Sequence, residues 1–272
     1  GDWSSDVCSS DLVGSVRSTA IGRHSKYAKK SFLHTNPLQN EKTFVKEIID
    51  EAKKFKGKPV VYCFSDETIL PLLRRRPQIE KHIIIPGAEK NQIEIAFDKA
   101  STVGLARTLS VPTPRSFPHN EINDPHFEGG LPLVVKPRHT AVWKGDQGVR
   151  ATASVHFSIE DTLKHYDHVC HETKEDPLIQ EYIYGDEYGI EFLYDHGTLV
   201  AVAAHKRVRS LKPEGGASVV KETVLRDGVV KEMEVYSRRL LTALKWHGPA
   251  QVEFKVNERT DVPNIMEING RF

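Results

Sequence analysis

The chain has 272 residues, which suffices for two domains or for one domain built of several lobes. Hydrophobic residues make up 39% of the sequence and charged residues 28%, a balance that is typical of globular proteins and excludes a disordered or fibrous chain. The net charge of +1 gives no electrostatic argument for a nucleic-acid partner, and no apolar stretch approaches the ~20 residues of a membrane-spanning helix.

Residues 1–12 are predicted to be a non-native leader. The string from Asp2 to Leu12 has no periodic pattern and resembles a translated sequencing adapter, so the native sequence is expected to begin near Val13. The chain stops at Phe272 without a closing helix, and we therefore expect a fragment at both ends. The three cysteines share no CxxC spacing and cannot form an even disulfide framework, which predicts a reduced, cytoplasmic protein.

Helices and strands alternate in the first hundred residues. Helices are predicted from the N-cap Asn40 to Gly57, around Ile69 and Leu73, and over residues 98–109. Short buried strands are predicted at residues 60–64 and 83–85. This order predicts a parallel sheet with crossover helices, and the proline-rich connector that begins at Val111 marks the domain boundary.

The second part of the chain is predicted to contain more strands than helices. Strands are expected at residues 131–136, 149–155, 178–183, 188–194, 198–208, 250–256 and 264–269, with a loop at 137–148 and a hairpin turn at 195–197. One helix follows the N-cap Ser158, and a longer one runs from Val229 to Leu244. This composition is typical of an α+β domain.

The last two predicted strands carry a candidate metal site. Side chains alternate along a strand, so Glu253 shares a face with Gln251 and Lys255, and Glu267 shares a face with Asn269. If the strands pair, the two carboxylates lie side by side, and with the amide oxygen they form a hard oxygen site that suits Mg²⁺. The alternative is a solvated hairpin face whose charges are unrelated.

Three further segments carry candidate ligands for phosphate, nucleotide or a substrate anion. Lys136 ends an apolar strand and precedes a loop with Lys144 and two glycines, which suits a phosphate; an ordinary surface lysine is the alternative. In the segment 179–187, strand backbone groups can meet a flat base and Glu187 can reach ribose hydroxyls. Arg207 and Arg209 are expected on one strand face, where they can receive a carboxylate or phosphate.

These motifs, taken in order, resemble the ATP-grasp superfamily. They are Lys99 in Phe-Asp-Lys-Ala, the prolyl connector, Leu-Val-Val-Lys, the glycine-containing loop, Gln-Glu-Tyr-Ile-Tyr-Gly-Asp-Glu, Glu253 and the final Glu-Ile-Asn-Gly-Arg. Within the superfamily, the chain is similar to carboxylate–amine ligases of the carbamoyl-phosphate synthetase and D-alanine–D-alanine ligase type. The resemblance implies an α/β fold: a truncated Rossmann-like pre-ATP-grasp domain over residues 13–112, followed by a C-terminally truncated ATP-grasp α+β domain over residues 113–272.

The resemblance also implies a role for each matching residue. Lys99, Lys136 and Lys144 would bind the ATP phosphates; Gln180, Glu181 and Ile183 would frame the adenine; Glu187 would hold the ribose; and Glu253, Glu267 and Asn269 would ligate Mg²⁺, or Mn²⁺ in its place. Arg271 and Arg207 would be the catalytic residues that hold the anionic ends of the acyl phosphate, and residues 140–148 would form the lid.

The implied function is an ATP- and Mg²⁺-dependent ligase that joins a carboxylate to an amine through an acyl phosphate. The implied partners are a small-molecule acid and amine, with no nucleic acid and no membrane, in a cytoplasmic protein; a homodimer is compatible with the resemblance. Two alternatives stay open: an ATP-grasp kinase that stops at phosphoryl transfer, and a sensor module that binds ATP without turnover.

Overall fold

The computed structural model describes residues 12–212 and 215–271. Residues 1–11 of the predicted leader lie outside this range, and Leu12 is the first residue of the first strand. Within the described part of the chain, no helix has the length and apolar character needed to cross a bilayer.

The secondary structure mixes helices and strands throughout. In the described residues the α-helices are α1 (Glu41–Ala52), α2 (Asp66–Arg74), α3 (Arg76–Ile79), α4 (Lys90–Phe97), α5 (Lys99–Thr108), α6 (His119–Ile122), α7 (Ile159–Thr173) and α8 (Gly228–Ala243). The strands are β1 (Leu12–Ser15), β2 (Lys30–Leu33), β3 (Ser116–Phe117), β4 (Leu133–Lys136), β5 (Ala141–Lys144), β6 (Gln147–Arg150), β7 (Ser154–His156), β8 (Leu178–Glu181), β9 (Glu187–Asp195), β10 (Thr198–Lys212), β11 (Gly215–Thr223), β12 (Gly248–Val256) and β13 (Pro263–Asn269).

The chain divides into two compact units. Among the described residues, unit 1 contains 12–61, 67–85 and 143–149, and unit 2 contains 62–66, 86–142 and 150–271. The sequence-predicted division between residues 112 and 113 therefore falls inside unit 2.

Unit 1 is built around amphipathic helices. The side chain of Asn40 accepts a hydrogen bond from the backbone N–H of Thr43 at 2.8 Å, which confirms the predicted N-cap of α1. The helix ends at Ala52, earlier than the predicted Gly57. Its apolar face, with Phe44 and Val45, is buried as the helical spacing predicts.

The predicted parallel sheet of the N-terminal region is not confirmed. A single parallel bridge between Val60 and Ile84 takes the place of the strands predicted at 60–64 and 83–85, and β1 pairs in parallel with β2. Parallel strands are stable when both faces are covered, yet Tyr62 and Phe64 are 53% and 72% exposed. The apolar composition of this run predicts a strand, but side chains this exposed do not have the cover that a parallel strand requires.

Unit 2 contains two antiparallel sheets. The four-stranded sheet has the order β3-β8-β4-β7, and α7 packs against β4 and β7 over a core that includes Phe117, Leu133 and Ile179. The five-stranded sheet has the order β11-β10-β9-β12-β13, with α8 against β9 and β13, and with α4 and α5 against β13. The α+β character predicted for this part of the chain is confirmed.

The predicted loop at residues 137–148 is wrong, because β5 and β6 form a two-stranded hairpin there. The strand predicted at 149–155 is likewise split between β6 and β7. The tip of this hairpin, residues 143–149, is held by contacts within unit 1. Trp143 Nε1 donates to the Pro37 carbonyl at 3.1 Å, and the Arg74 guanidinium lies 4.4 Å from the Trp143 ring centre. These contacts join residues far apart in sequence, which a local pattern does not reveal.

Candidate active site

Two acidic side chains oppose each other on the last two strands of unit 2. Along β12 buried residues alternate with half-buried ones, so Glu253 leaves the core on the same face as Gln251 and Lys255. Glu253 pairs directly with Glu267 on β13, which confirms the predicted register. The side-chain amide of Asn269 donates to both carboxylates, at 3.2 Å to Glu253 and 3.3 Å to Glu267. One amide therefore bridges two groups that would otherwise repel each other.

Lys136 reaches this hairpin through a β-bulge. The register of β13 against β12 shifts after Glu253, and Met266 is left without a partner residue on β12. The Met266 carbonyl accepts a hydrogen bond from Lys136 Nζ at 3.1 Å. Because Lys136 is the last residue of β4, the bulge links the four-stranded sheet to the carboxylate pair.

Lys99 approaches the same pair from the start of α5. Asp98 is the N-cap of this helix, and Arg138 Nε holds its carboxylate at 3.0 Å. Lys99 Nζ lies 3.6 Å from Glu267 Oε2 and donates to Thr140 Oγ1 at 3.3 Å. The two lysines that the sequence resemblance selects thus reach neighbouring residues of β13, Met266 and Glu267.

The charges of the cluster shift one another's ionisation. Burial raises the pKa of Glu253 to about 7, and the charge of Glu267 adds to this shift. Burial also opposes ionisation of Glu267, but the charges of Lys99 and Lys136 outweigh it and hold its pKa below the ordinary value. Burial lowers the pKa of Lys136 to about 8. Glu267 is therefore the carboxylate that stays fully charged at neutral pH.

Arg207 bridges two carboxylates on neighbouring strands. It lies opposite Glu187 in the pairing of β10 with β9 and forms an ion pair with it, while its Nη2 lies 3.4 Å from Glu253 Oε2. Lys255 of β12 contacts Glu187 from the other side, at 3.5 Å. Because side chains alternate along a strand, Lys255 lies on the same face as Glu253, and the sequence therefore indicates that it belongs to this cluster. Sequence reasoning missed its contact with Glu187.

The predicted common face of Arg207 and Arg209 is wrong. Register shifts interrupt β10 at this point, so that Arg207 pairs with Lys221 and Arg209 with Val220. Adjacent residues of a strand point to opposite faces, which places the two arginines on opposite faces as well. Arg207 is half-buried beside Glu187, and Arg209 is exposed.

Arg271 lies beside the amide that bridges the carboxylates. Its Nη2 donates to Asn269 Oδ1 at 3.3 Å, and its Nε lies 2.6 Å from the carboxylate of Asp66 at the start of α2. Asp66 was missed by sequence reasoning, because nothing in its local pattern relates it to a residue at the other end of the chain.

The predicted adenine ligands lie on and just after β8, the strand beside β4. Gln180 is buried and donates to Ser116 Oγ at 3.2 Å, and Glu181 Oε1 accepts from the backbone N–H of Arg115 at 2.7 Å. Ile183 is buried. Lys144 is exposed on β5 and belongs to the hairpin tip that groups with unit 1.

The donor set fits a hard divalent cation. Two carboxylates and one side-chain amide lie together, and carboxylate and amide oxygens are ligands that Mg²⁺ accepts. Asn269 now turns its nitrogen to the carboxylates and its oxygen to Arg271, so ligation by the amide requires a half-turn of its plane.

Solved structures share this fold. The chain is similar to the biotin carboxylase domain of 2-oxoglutarate carboxylase from Hydrogenobacter thermophilus, solved with MgADP, ADP and bicarbonate (TM-score 0.70, 18% identity, 96% of this chain and 58% of that one). It is also similar to D-alanine–D-alanine ligase from Bacillus anthracis in complex with ATP (TM-score 0.60, 17% identity, 95% and 84%). A third similar structure is L-amino acid ligase from Bacillus licheniformis (TM-score 0.60, 17% identity, 90% and 56%).

These likenesses establish the fold of the chain. No family model matches the sequence, and no curated protein matches it. The chain spans 58% of the Hydrogenobacter domain and 24% of the similar pyruvate carboxylase from Rhizobium etli. The chain therefore has the fold of these carboxylase and ligase structures.

Proposed function

We propose that the chain is the nucleotide-binding part of an ATP- and Mg²⁺-dependent ligase that joins a carboxylate to an amine through an acyl phosphate. One observation carries the proposal: Lys99 and Lys136, from separate elements, meet the opposed pair Glu253 and Glu267 and their bridging amide. Structures of the same fold solved with MgADP and bicarbonate, or with ATP, support it.

The carboxylate pair and Asn269 are the proposed ligands of Mg²⁺, with Mn²⁺ as an alternative. When bound, the metal would neutralise charge on the phosphoryl group that is transferred. Glu267 is the anchor of this set, because Lys99 and Lys136 keep it ionised. Glu253 carries a raised pKa, so its proton would leave as a cation enters.

The lysines are the proposed phosphate ligands. Lys136 is half-buried and donates a hydrogen bond to a carbonyl, so its ammonium group is poorly hydrated. A phosphate oxygen would give this group a charged hydrogen-bond acceptor. Lys99 would move from Glu267 towards the phosphates. Lys144, on the hairpin of the proposed lid over residues 140–148, would add a further positive charge.

Gln180, Glu181 and Ile183 are the proposed frame of the adenine, on and just after the strand beside the one that Lys136 ends. Glu187 would hold the ribose. Its two oxygens contact Arg207 and Lys255, but a carboxylate accepts up to about four hydrogen bonds and retains capacity for hydroxyl groups.

Arg207 and Arg271 are the proposed catalytic residues. Each holds an acidic partner, Glu187 and Asp66 respectively, which positions the planar guanidinium before substrate arrives. An acyl phosphate carries negative charge on its phosphoryl oxygens, and attack of the amine on the acyl carbon adds charge to the carbonyl oxygen before inorganic phosphate leaves with the bridging oxygen. Fixed guanidinium groups near these atoms would stabilise that charge without reorganisation.

The proposed organisation is a partial Rossmann-like pre-ATP-grasp domain over residues 13–112 and an ATP-grasp domain over 113–272. The proposed partners are a small-molecule acid and amine, rather than a nucleic acid or a membrane, in a cytoplasmic protein. A homodimer is compatible with this organisation, since one similar structure is a domain dimer.

The test of nucleotide binding is isothermal titration with ATP, with and without Mg²⁺. Wild-type protein is expected to bind ATP more tightly when Mg²⁺ is present, and Lys99→Met to bind it at least ~10-fold more weakly. Lys90→Met is the control, because Lys90 is an exposed lysine of α4 in an ion pair with Glu94. Equal loss in both variants, or no binding by the wild type, would contradict the proposal.

A further inference from the structure

Three side chains meet at one end of the five-stranded sheet of unit 2, in a group that the proposed function does not use. Asp195 ends β9, His196 is in the turn to β10, and His247 lies between α8 and β12. The Asp195 carboxylate is 3.7 Å from His247 Nδ1 and 3.9 Å from His196 Nε2. One donor atom of each residue lies within 4.8 Å of the other two.

The backbone holds the two loops of this group together. The N–H of Gly197 donates to the Trp246 carbonyl at 2.9 Å, and the N–H of His196 donates to His247 Nδ1 at 3.2 Å. Trp246 is fully buried, so the loop that carries His247 is anchored in the core. The fold therefore holds together the two loops that carry the three side chains.

The turn itself uses an unusual residue. Asp195 pairs with Thr198, so the loop has two residues, and both have positive φ: 43° at His196 and 84° at Gly197. A two-residue hairpin of this type favours asparagine before glycine, because asparagine tolerates the left-handed conformation better than other side chains do. Histidine at this position is less favourable for the turn than asparagine, but it places an imidazole next to Asp195.

We propose that Asp195, His196 and His247 form a binding site for a divalent transition-metal ion of the Zn²⁺ class. Imidazole nitrogen with one carboxylate is a donor set that Zn²⁺ prefers, whereas Mg²⁺ and Ca²⁺ prefer oxygen alone. Bonds of about 2.0–2.1 Å in a tetrahedral site place donor atoms about 3.3 Å apart, so the two distances from Asp195 to the histidines would shorten by roughly half an ångström. His247 Nδ1 already presents an unprotonated lone pair towards the turn, because it accepts an N–H there; the metal would replace that donor.

The exposure of the three side chains permits this adjustment. His196 is 83% exposed and Asp195 is 70% exposed, while His247 is 32% exposed. The rings of His196 and His247 are stacked, with centres 4.2 Å apart. The His196 ring would therefore rotate about its side-chain torsions so that both histidines bind one ion.

The site is remote from the proposed nucleotide site. Asp195 and Glu187 are at the opposite ends of β9, eight positions and about 26 Å apart along an extended strand. Metal binding at the turn is therefore independent of the ligase proposal. We expect it to fasten the β9–β10 turn to the α8–β12 loop and so raise the thermal stability of unit 2.

The test is titration of untagged protein with Zn²⁺, and with Co²⁺ monitored by absorption, in excess Mg²⁺ to occupy oxygen-rich sites. Wild-type protein is expected to bind one ion tightly, with a Co²⁺ spectrum of a tetrahedral site, and to melt at a higher temperature in its presence. His196→Asn, which suits the turn, and His247→Ala are each expected to bind at least ~10-fold more weakly.

His171→Ala is the matched control, because His171 is an exposed histidine of α7 that also contacts a carboxylate, that of Glu172, at 3.2 Å. This variant is expected to bind the ion like the wild type. The proposal is overturned if the wild type shows no stoichiometric binding, if His196→Asn binds as tightly as the wild type while remaining folded, or if His171→Ala loses the same affinity.

Discussion

Glu253 lies directly opposite Glu267 on neighbouring antiparallel strands, and the amide of Asn269 is hydrogen-bonded to both. Opposed acids of this kind would destabilise an ordinary sheet. In this pair the two carboxylates ionise at different pH values. Burial raises the pKa of Glu253 to about 7, while Lys99 and Lys136 hold the pKa of Glu267 below its ordinary value. The proposed cation would displace the proton from Glu253 and take Glu253, Glu267 and the turned amide of Asn269 as ligands.

Glu267→Gln keeps the shape of the side chain and removes the charge that anchors the proposed metal. We expect Mg²⁺-dependent ATP turnover to fall by at least ~100-fold, measured as ADP release. Glu191→Gln is the control, since Glu191 lies on β9 and contacts His205 at 2.9 Å. Turnover within about twofold of the wild type in Glu267→Gln would remove Glu267 from the ligand set.

Lys136 predicts how nucleotide affinity depends on pH. Its pKa of about 8 lies below the 10.5 of an ordinary lysine because burial disfavours the charge. The lysine is charged below pH 8 and neutral above it, and phosphate binds the charged form. The Kd for ATP should therefore rise about tenfold between pH 7 and pH 9.

Two measurements accompany that titration. Binding at pH 8 should take up protons, seen as a dependence of the binding enthalpy on the ionisation enthalpy of the buffer. Lys136→Arg keeps its charge over this range and should remove the rise of Kd with pH. A wild-type Kd that does not change between pH 7 and pH 9 contradicts the assignment of Lys136 to the phosphates.

Asp98 predicts a loss of stability in acid. Burial opposes its ionisation, but hydrogen bonds from Arg138 and Ser101 outweigh this and lower its pKa to about 2. The stabilisation is complete above the unfolded value of 3.8 and is lost as the pH falls through about 2.

Asp98→Asn keeps a helix N-cap and removes the charge. We expect it to reduce the free energy of unfolding by about 1–2 kcal/mol at pH 7, after allowance for the partly exposed Arg138. Denaturant unfolding from pH 7 to pH 2 should show the two proteins converging in stability. If the difference in the free energy of unfolding between the two proteins stayed constant down to pH 2, the ion pair of Asp98 with Arg138 would not be the source of the stabilisation.

The candidate site could be predicted from the sequence where the alternation of side chains along a strand determines the face on which a residue lies. The two-residue alternation of β12 selects Glu253 and Lys255 and fixes their face, and the short connection to β13 fixes Glu267 as a neighbour. The capping side chains of Asn40 and Ser158 follow from the same local logic, because each acts on its own helix.

Other features depend on contacts between distant segments. Lys99 and Glu267 are 168 positions apart, so their meeting followed only from the ordered resemblance of the motifs. Nothing in the sequence relates Asp66 to Arg271, or Trp143 to the carbonyl of Pro37. Residues 60–64 have the apolar composition of a strand, yet the cover that a parallel strand requires depends on the rest of the chain.

Gly185 is a position where a side chain cannot be accommodated. Its φ is +135°, and an added Cβ would lie 1.8 Å from the carbonyl oxygen of Val256. The carbonyl of Asp186 accepts from the N–H of Val256 at the end of β12, and that of Tyr184 accepts from the N–H of Glu258, both at 2.9 Å, which fixes the backbone. We expect Gly185→Ala to lower the free energy of unfolding by about 3 kcal/mol or more.

Gly104→Ala is the matched control for this substitution. Gly104 lies inside α5, and an added Cβ would meet nothing within 4 Å. Alanine there should raise the free energy of unfolding by about 0.5–1 kcal/mol, because it favours the helix. Similar destabilisation in both variants would show that the close approach at Gly185 is not the cause.

The central claim is that a carboxylate is activated as an acyl phosphate, and hydroxylamine trapping tests it most directly. The protein is incubated with ATP, Mg²⁺ and a panel of amino, hydroxy and simple carboxylic acids, without amine, and ADP and hydroxamate are measured together. We predict that at least one acid gives slow ADP release with an equivalent amount of hydroxamate, and that Glu267→Gln gives neither. ADP release with a stable phosphate ester and no hydroxamate would indicate a kinase, ATP binding without ADP release would indicate a sensor, and either result would contradict the ligase assignment.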